Sequence, residues 1–263
     1  MWRLFWSEQE PSCSGKNELW VVFGTAMDAA NKAVIGLSSD TCRRIYANVG
    51  NAPLVELLDD SCNTLLDVGC GAGDNAVLVK ARNPRCQVFG VTRSESEAER
   101  ARHHMAECLV FDIEGDFPAE ILVRQFDAIL FSHVLEHLRD PAAVLSRFVT
   151  YLRSGGVVLI AVPNVVNWRQ RTQLLLGRFE YEAAGVMDDT HLRFFTFRTA
   201  DKYLLVRSPE LEVMRKEVTG SVPLWWLRRY VFPRAWSDAV DVWGCRHWPN
   251  LFGGQILIKA KKK

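Results

Sequence analysis

From Thr64 onward, short unbroken apolar runs alternate with longer amphipathic or charged stretches. Segments 64–68, 87–91, 108–111, 128–131 and 157–162 read as strands. Between them, 74–81 reads as a helix stopping before Pro84, and 94–107 as a charged helix. Segment 141–152 is amphipathic, with Val144, Leu145, Phe148 and Val149 on one side, and the pair Gly155-Gly156 is expected to end it. Continuous apolar strands separated by helices indicate a parallel sheet covered on both faces, which predicts a doubly wound α/β domain. After Pro163 the rhythm changes: 164–203 is aromatic and basic with no clean strand, and 211–218 and 254–260 read as two further strands around a Trp- and Arg-rich insertion. Upstream, 27–35 and 51–58 read as helices behind a loose start containing Pro11, Ser12, Ser14 and Gly15. The expected organisation is a flexible tail 1–16, a helical cap 17–60, a core 61–163, a lid 164–210, and closing strands with their insertion 211–263.

Composition narrows the class. With 32 Lys+Arg against 31 Asp+Glu, the net charge of +1 removes the long-range pull on phosphate backbones, so no nucleic-acid partner is expected. Segment 19–37 is interrupted by Asp28, Asn31 and Lys32, too polar to span a bilayer, and the apolar start meets Glu8 too soon for a signal peptide. The seven cysteines contain no C-x-x-C pair and read as reduced thiols rather than a disulfide frame or zinc site. These features predict a soluble, cytoplasmic protein.

The candidate chemistry begins at the first strand-to-helix turn, Asp67-Val68-Gly69-Cys70-Gly71-Ala72-Gly73. Glycines admit positive φ and close ligand approach, and the helix start offers free N–H groups to an anion. The dinucleotide fingerprint requires a glycine where this chain has Asp74. A carboxylate there disfavours a pyrophosphate and with it a nicotinamide dehydrogenase. The loop suits a ligand with an amino-acid end, its ammonium drawn to Asp67. Cys70 reads as a small residue in a tight loop, since no His–Asn/Asp partner set surrounds it.

The stretches LLDVGCGAG, FDAILFSHVLEHLRDP, LRSGGVVLIAVPN and DDTHLRFFT together resemble a class I S-adenosylmethionine (SAM)-dependent methyltransferase, from about Tyr46 to Ala260. They are nearest in flavour to bacterial enzymes of natural-product and cell-envelope sugar or lipid pathways. The resemblance implies a Rossmann-like, mostly parallel seven-stranded sheet with an antiparallel last strand. It implies SAM as cofactor, with S-adenosylhomocysteine as product. It places Gly69, Cys70, Gly71 and Gly73 around the methionine part and Asp67 at its amino group, and it counts Tyr46 among the cofactor-binding residues. Asp112 would take the adenine amine with Ile113 at the ring face, unless it merely caps a turn. Ser132 and His133 would line the pocket near the sulfonium. The acid that normally holds the ribose is replaced by Thr92, with Arg93 or Glu95 as helpers.

An oxygen acceptor must also lose a proton, which a histidine can take. His133, His137 and His191 are the candidates, and His191 is favoured because its motif follows the core and should fold over the site. Asp188 or Asp189 would orient it, and Arg193 would bind an anionic acceptor. No metal is expected at Asp188, Asp189 and His191, and His137 has an equal reading as a turn residue. The aromatic-basic stretches 168–176 and 225–232 admit a sugar- or lipid-linked acceptor at a membrane surface, although core packing explains such stripes more often. The leading expectation is O-methylation of a small molecule. A non-catalytic SAM-binding regulator remains the alternative, and Thr92 keeps it open.

Overall fold

A computed structural model describes residues 50–118 and 124–263. The expected tail, the helix at 27–35 and Tyr46 lie outside the described residues. Seven strands form one sheet in the order β3-β2-β1-β4-β5-β7-β6. They are β1 (Thr64–Val68), β2 (Gln87–Thr92), β3 (Glu107–Val110), β4 (Phe126–Ser132), β5 (Leu152–Pro163), β6 (Leu211–Gly220) and β7 (Gly253–Lys262). The first five pair in parallel, whereas β7 runs antiparallel between β5 and β6. The chain direction reverses its outward winding at β1, so the carboxyl ends of β1 and β4 open a crevice.

Period-2 alternation within the central strands builds two cores, one on each face of the sheet. Leu66, Val68, Ile129, Phe131, Val158 and Ile160 face one side, where α4 (Pro141–Val149) packs Val144, Leu145, Phe148 and Val149 against them. Leu65, Ala128, Leu130, Val157 and Leu159 face the other. That side is covered by α1 (Ala52–Val55), α2 (Asp74–Arg82) and α3 (Glu95–Ala101). At the end of the sheet away from the crevice, Asp127 joins β4 to β1, accepting from the Asn63 and Thr64 N–H groups and pairing with Arg153.

Two expected boundaries are corrected. Gly155-Gly156 does not end α4: the helix stops at Val149 and β5 already begins at Leu152. The β4–β5 register shifts between Phe126 and Ala128, so the glycines lie in an irregular stretch of strand. A Cβ on Gly156 would stand 2.9 Å from the Asp127 carbonyl oxygen, which explains a glycine there. The charged helix expected over 94–107 closes at Ala101, and β3 starts at Glu107.

The segment after β5 holds α5 (Trp168–Leu175), and α6 (Ala200–Leu204) packs Ala200 and Leu204 into the α4-side core. The insertion carries α7 (Trp225–Val231), α8 (Arg234–His247) and α9 (Pro249–Phe252). Its aromatic residues are not all core. Trp236, Val240 and Trp243 share one exposed face of α8, and Tyr230 is almost fully exposed. No helix among the described residues is long and apolar enough to cross a membrane.

Candidate active site

The glycine loop forms because its backbone must turn sharply between a buried strand and a helix. Gly69 and Gly71 have φ of 73° and 52°, the left-handed region that side chains disfavour. Their surroundings differ. A Cβ on Gly69 would stand 2.4 Å from Val134 Cγ2, while one on Gly71 would meet nothing within 4 Å. Gly69 therefore lets the loop touch the segment after β4, and Gly71 faces open space. Gly73 is the N-cap of α2. Cys70 is buried with Sγ 3.6 Å from Cys108 Sγ, and burial and that contact push its thiol up, as befits an inert packing residue. The described cysteines are all free thiols.

Asp67 is fully buried at the end of β1, with Oδ2 accepting from Asn75 Nδ2 at 3.3 Å and Oδ1 without a partner. Burial drives its pKa up to about 7, opposed in part by Asn75. From Asn75 a polar chain crosses the crevice. Asn75 Oδ1 accepts from the Asn51 N–H at 2.8 Å, and Asn51 Nδ2 donates to Gln255 Oε1 at 3.0 Å and to Ser132 Oγ at 3.4 Å. Gln255 Oε1 meets His133 Nε2 at 2.9 Å, and His133 Nδ1 meets Glu136 Oε1 at 3.1 Å. Asn51, Asn75, Gln255 and Glu136 were not among the residues expected from sequence. Of these, Asn51 and Gln255 are brought to the crevice by contacts more than 200 residues apart.

His133 adopts φ of 55°, a strained backbone for a non-glycine residue. Burial pulls its imidazole down, but the Glu136 carboxylate outweighs this and the net shift is upward. His133 is thus held between two acceptor oxygens, an arrangement for an imidazolium rather than a proton acceptor. His137 and His191 do come together: their rings lie 4.7 Å apart at 65°. His191 Nδ1 meets the Val186 carbonyl at 3.1 Å. His137 Nδ1 meets Thr190 Oγ1 at 2.9 Å, and Thr190 Oγ1 donates to Asp188 Oδ1 at 2.5 Å. Both Nδ1 atoms serve as donors in this pattern, leaving both Nε2 lone pairs available. Burial lowers the pKa of His137, against the pull of Glu136.

Several expected roles change. Asp188 does not orient His191 directly. It is buried, and burial alone would raise its carboxyl, but the hydroxyl and N–H of Thr190 hold it low, and through Thr190 it supports His137. The Arg193 guanidinium donates from Nη1 and Nη2 to the carbonyls of Leu192 and Arg139, while its buried Nε–H has no partner. Ile113 is buried in the core and offers little surface to a ring. Asp112 is exposed and caps a turn, with Oδ1 accepting from the Glu114 N–H at 3.0 Å. Thr92 is buried and donates to Glu97 Oε2 at 2.6 Å, placing a carboxylate at the end of β2. Neither expected helper is engaged there: Arg93 is exposed and Glu95 pairs with Arg102. A local signal for Glu97 existed, since Ser94-x-x-Glu97 is a capping-box spacing and Ser94 Oγ caps the Glu97 N–H.

This geometry can be set beside known proteins. A family model described as "Methyltransferase domain" matches residues 43–204. The trans-aconitate 2-methyltransferase of Enterobacter sp. is 31% identical over 147 residues, 52% of this chain and 54% of that protein. The ubiquinone biosynthesis O-methyltransferase of Rhodopseudomonas palustris is 29% identical over 152 residues, 57% and 56% of the two chains. The chain thus matches about half the length of these curated relatives. A solved SAM-dependent methyltransferase from Archaeoglobus fulgidus shares the fold, with a TM-score of 0.51 at 18% identity over 77% of this chain and 87% of that one. The crevice at the end of β1, its glycine loop and these matches agree, and the chain belongs to the methyltransferase-domain family, with S-adenosylmethionine as its cofactor.

Proposed function

We propose that the chain transfers a methyl group from SAM to a hydroxyl oxygen of a small molecule. The observation that carries this reading is the pair His137 and His191: their rings meet, His137 lies on the turn after Val134, which the glycine loop touches through Gly69, and the His191 loop is tied to that turn at the Glu136 carbonyl. When bound, SAM supplies a methyl group already activated on a sulfonium. The protein must align the acceptor, worth roughly 7–11 kcal/mol in favourable cases, and remove its proton, which Nε2 of His191 or His137 can accept.

The residues present fit the cofactor. Asp67 Oδ1 is a buried acceptor without a donor, suited to the amino group. The open space at Gly71 suits the carboxylate end. The Thr92–Glu97 pair supports ribose hydroxyls in place of the usual acid, and Asp112 Oδ2 stays outside its turn for an amine. Ser132 lies at the crevice edge. The exposed Trp236–Trp243 face supports an acceptor that is lipid-linked or met at a membrane surface, and the free thiols support a cytoplasmic setting.

The direct test is release of S-adenosylhomocysteine with hydroxyl, amine and carbon acceptors, offered free and in lipid vesicles. Hydroxyl acceptors alone should turn over. S-adenosylhomocysteine binding without turnover of any acceptor would favour a regulator, and thermal stabilisation by NAD instead would favour an oxidoreductase.

Asp67→Asn should bind S-adenosylhomocysteine roughly 10- to 100-fold more weakly while being the more stable protein, because a hydrogen bond to a charged group is worth about 1.5–3 kcal/mol. The stability sign follows from the raised pKa. Below 3.8 the carboxyl is protonated in both states; as pH rises to about 7 only the unfolded state releases the proton, so native stability falls. The full cost above that window is about 4 kcal/mol at most. Urea unfolding at several pH values should show the gap between variant and parent widening from pH 3.8 to about 7 and level above it, and a gap constant across that window would contradict it. Glu97→Ala should weaken S-adenosylhomocysteine binding about 10-fold by calorimetry. Unchanged affinity would reduce Glu97 to a packing partner of Thr92.

A further inference from the structure

Glu136, His137 and His191 each offer one ligand atom, and these atoms all lie within 4.8 Å of one another. We propose that these three side chains bind a zinc ion, which holds the acceptor hydroxyl in its remaining coordination position. The proposal rests on the methyl-transfer reading for its catalytic part and replaces histidine as the proton acceptor, because an Nε2 lone pair held by zinc takes no proton; the site itself stands on geometry.

The first support is that each of the three side chains has one polar atom committed and one left over. His191 Nδ1 is engaged by the Val186 carbonyl, and His137 Nδ1 by Thr190, backed by Asp188. Imidazoles on zinc characteristically give their second nitrogen to a carbonyl or to a carboxylate-supported group, which fixes the ring and the tautomer. Here both rings leave Nε2 uncommitted. The second support is independent of the histidines. Glu136 is fully buried, Oε1 is taken by His133, and Oε2 has no hydrogen-bond partner. An unpartnered carboxylate oxygen costs a great deal in a protein interior unless a cation or donor meets it.

The frame is also built. The N–H groups of Leu192 and Arg193 donate to the Glu136 carbonyl at 2.8 and 3.0 Å, tying the loop that carries His191 to the turn that carries Glu136 and His137. Ligand atoms around tetrahedral zinc at about 2.0–2.1 Å are roughly 3.4 Å apart, so modest side-chain rotations would close the set. Two imidazoles with one carboxylate favour zinc over magnesium, which prefers oxygen ligands. Three protein ligands and one open position describe a catalytic rather than a structural zinc site. Sequence reasoning missed this set because it looked to Asp188 and Asp189 beside His191, whereas the carboxylate comes from the turn after β4.

In the reaction, zinc would lower the pKa of the bound hydroxyl, whose proton leaves to water. The oxygen anion forms the new O–CH3 bond, and the electron pair of the broken C–S bond returns to sulfur. The chelator-stripped full chain, titrated with zinc chloride by calorimetry and checked by elemental analysis, should take up one ion per chain, with magnesium chloride giving no comparable binding. Cobalt substitution should give ligand-field bands of a four-coordinate site. His191→Ala and Glu136→Gln should each weaken zinc binding by on the order of 100-fold or more, since loss of even a supporting partner costs 10–100-fold. Glu136→Gln could disturb the fold, so far-UV circular dichroism accompanies it, and the part-exposed His191 provides the second variant. Absence of saturable zinc binding, or zinc binding unchanged in His191→Ala, would overturn the site. If zinc fails to bind while His191→Ala still abolishes turnover, the general-base reading survives alone. If zinc binds and no acceptor is methylated, the site stands and the proposed reaction falls.

Discussion

Gly71→Asp should fold and yet lose about 100- to 1,000-fold in affinity for S-adenosylhomocysteine, because like charges brought together at a binding site cost several kcal/mol. The two halves of this expectation come from one position. Gly71 has φ of 52°, and a Cβ added there would find no atom within 4 Å, so the substitution meets no neighbour. It meets only left-handed strain of roughly 1–2 kcal/mol, which Asp tolerates better than most residues. The new carboxylate would occupy the space suited to the carboxylate of the cofactor. Gly69→Ala provides the contrast, since its methyl would lie 2.4 Å from Val134 Cγ2 and should lower Tm before it affects binding. Calorimetry beside thermal melts separates the two. Gly71→Asp with parental affinity would mean that the amino-acid end of the cofactor lies elsewhere.

His191→Ala should lower turnover by roughly 10²- to 10⁴-fold, the usual contribution of a positioned proton acceptor, while cofactor affinity changes about twofold or less. The side chain hydrogen-bonds the Val186 carbonyl and lies edge-on to His137 and Phe194. None of these contacts is with the glycine loop, so a catalytic role and a binding role separate cleanly. Single-turnover rates and S-adenosylhomocysteine titrations would be compared in the same preparation. Parallel losses in both would identify the residue as a structural part of the 186–193 loop.

The sheet was readable from sequence because each central strand is a continuous apolar run, which only a strand covered on both faces requires. The glycine loop was readable for the same local reason: Asp67 to Gly73 are adjacent in the chain, and their conformations need no distant partner. The rest of the site depends on contacts that no short window contains. Asn51 and Gln255 meet across the crevice only because β7 lies beside β5. Arg193 also contacts the backbone of Arg139, 54 residues away, which no short window contains. Asp188 lies near His191 in sequence, yet the turn at Thr190 directs its support to His137. Gly155-Gly156 looked like a helix stop because glycine serves at helix ends and at strand irregularities alike.

The position of β7 has a consequence for how the chain is assembled. β6 joins the sheet only through β7, and β7, from Gly253 to Lys262, is the last of these strands to be made. Until those ten residues have left the ribosome, the β5 edge stays open and β6 has no strand to pair with. The sheet is therefore completed by a strand inserted between two waiting ones, and a nascent chain stalled shortly before Gly253 would expose a sticky ribbon that chaperones recognise.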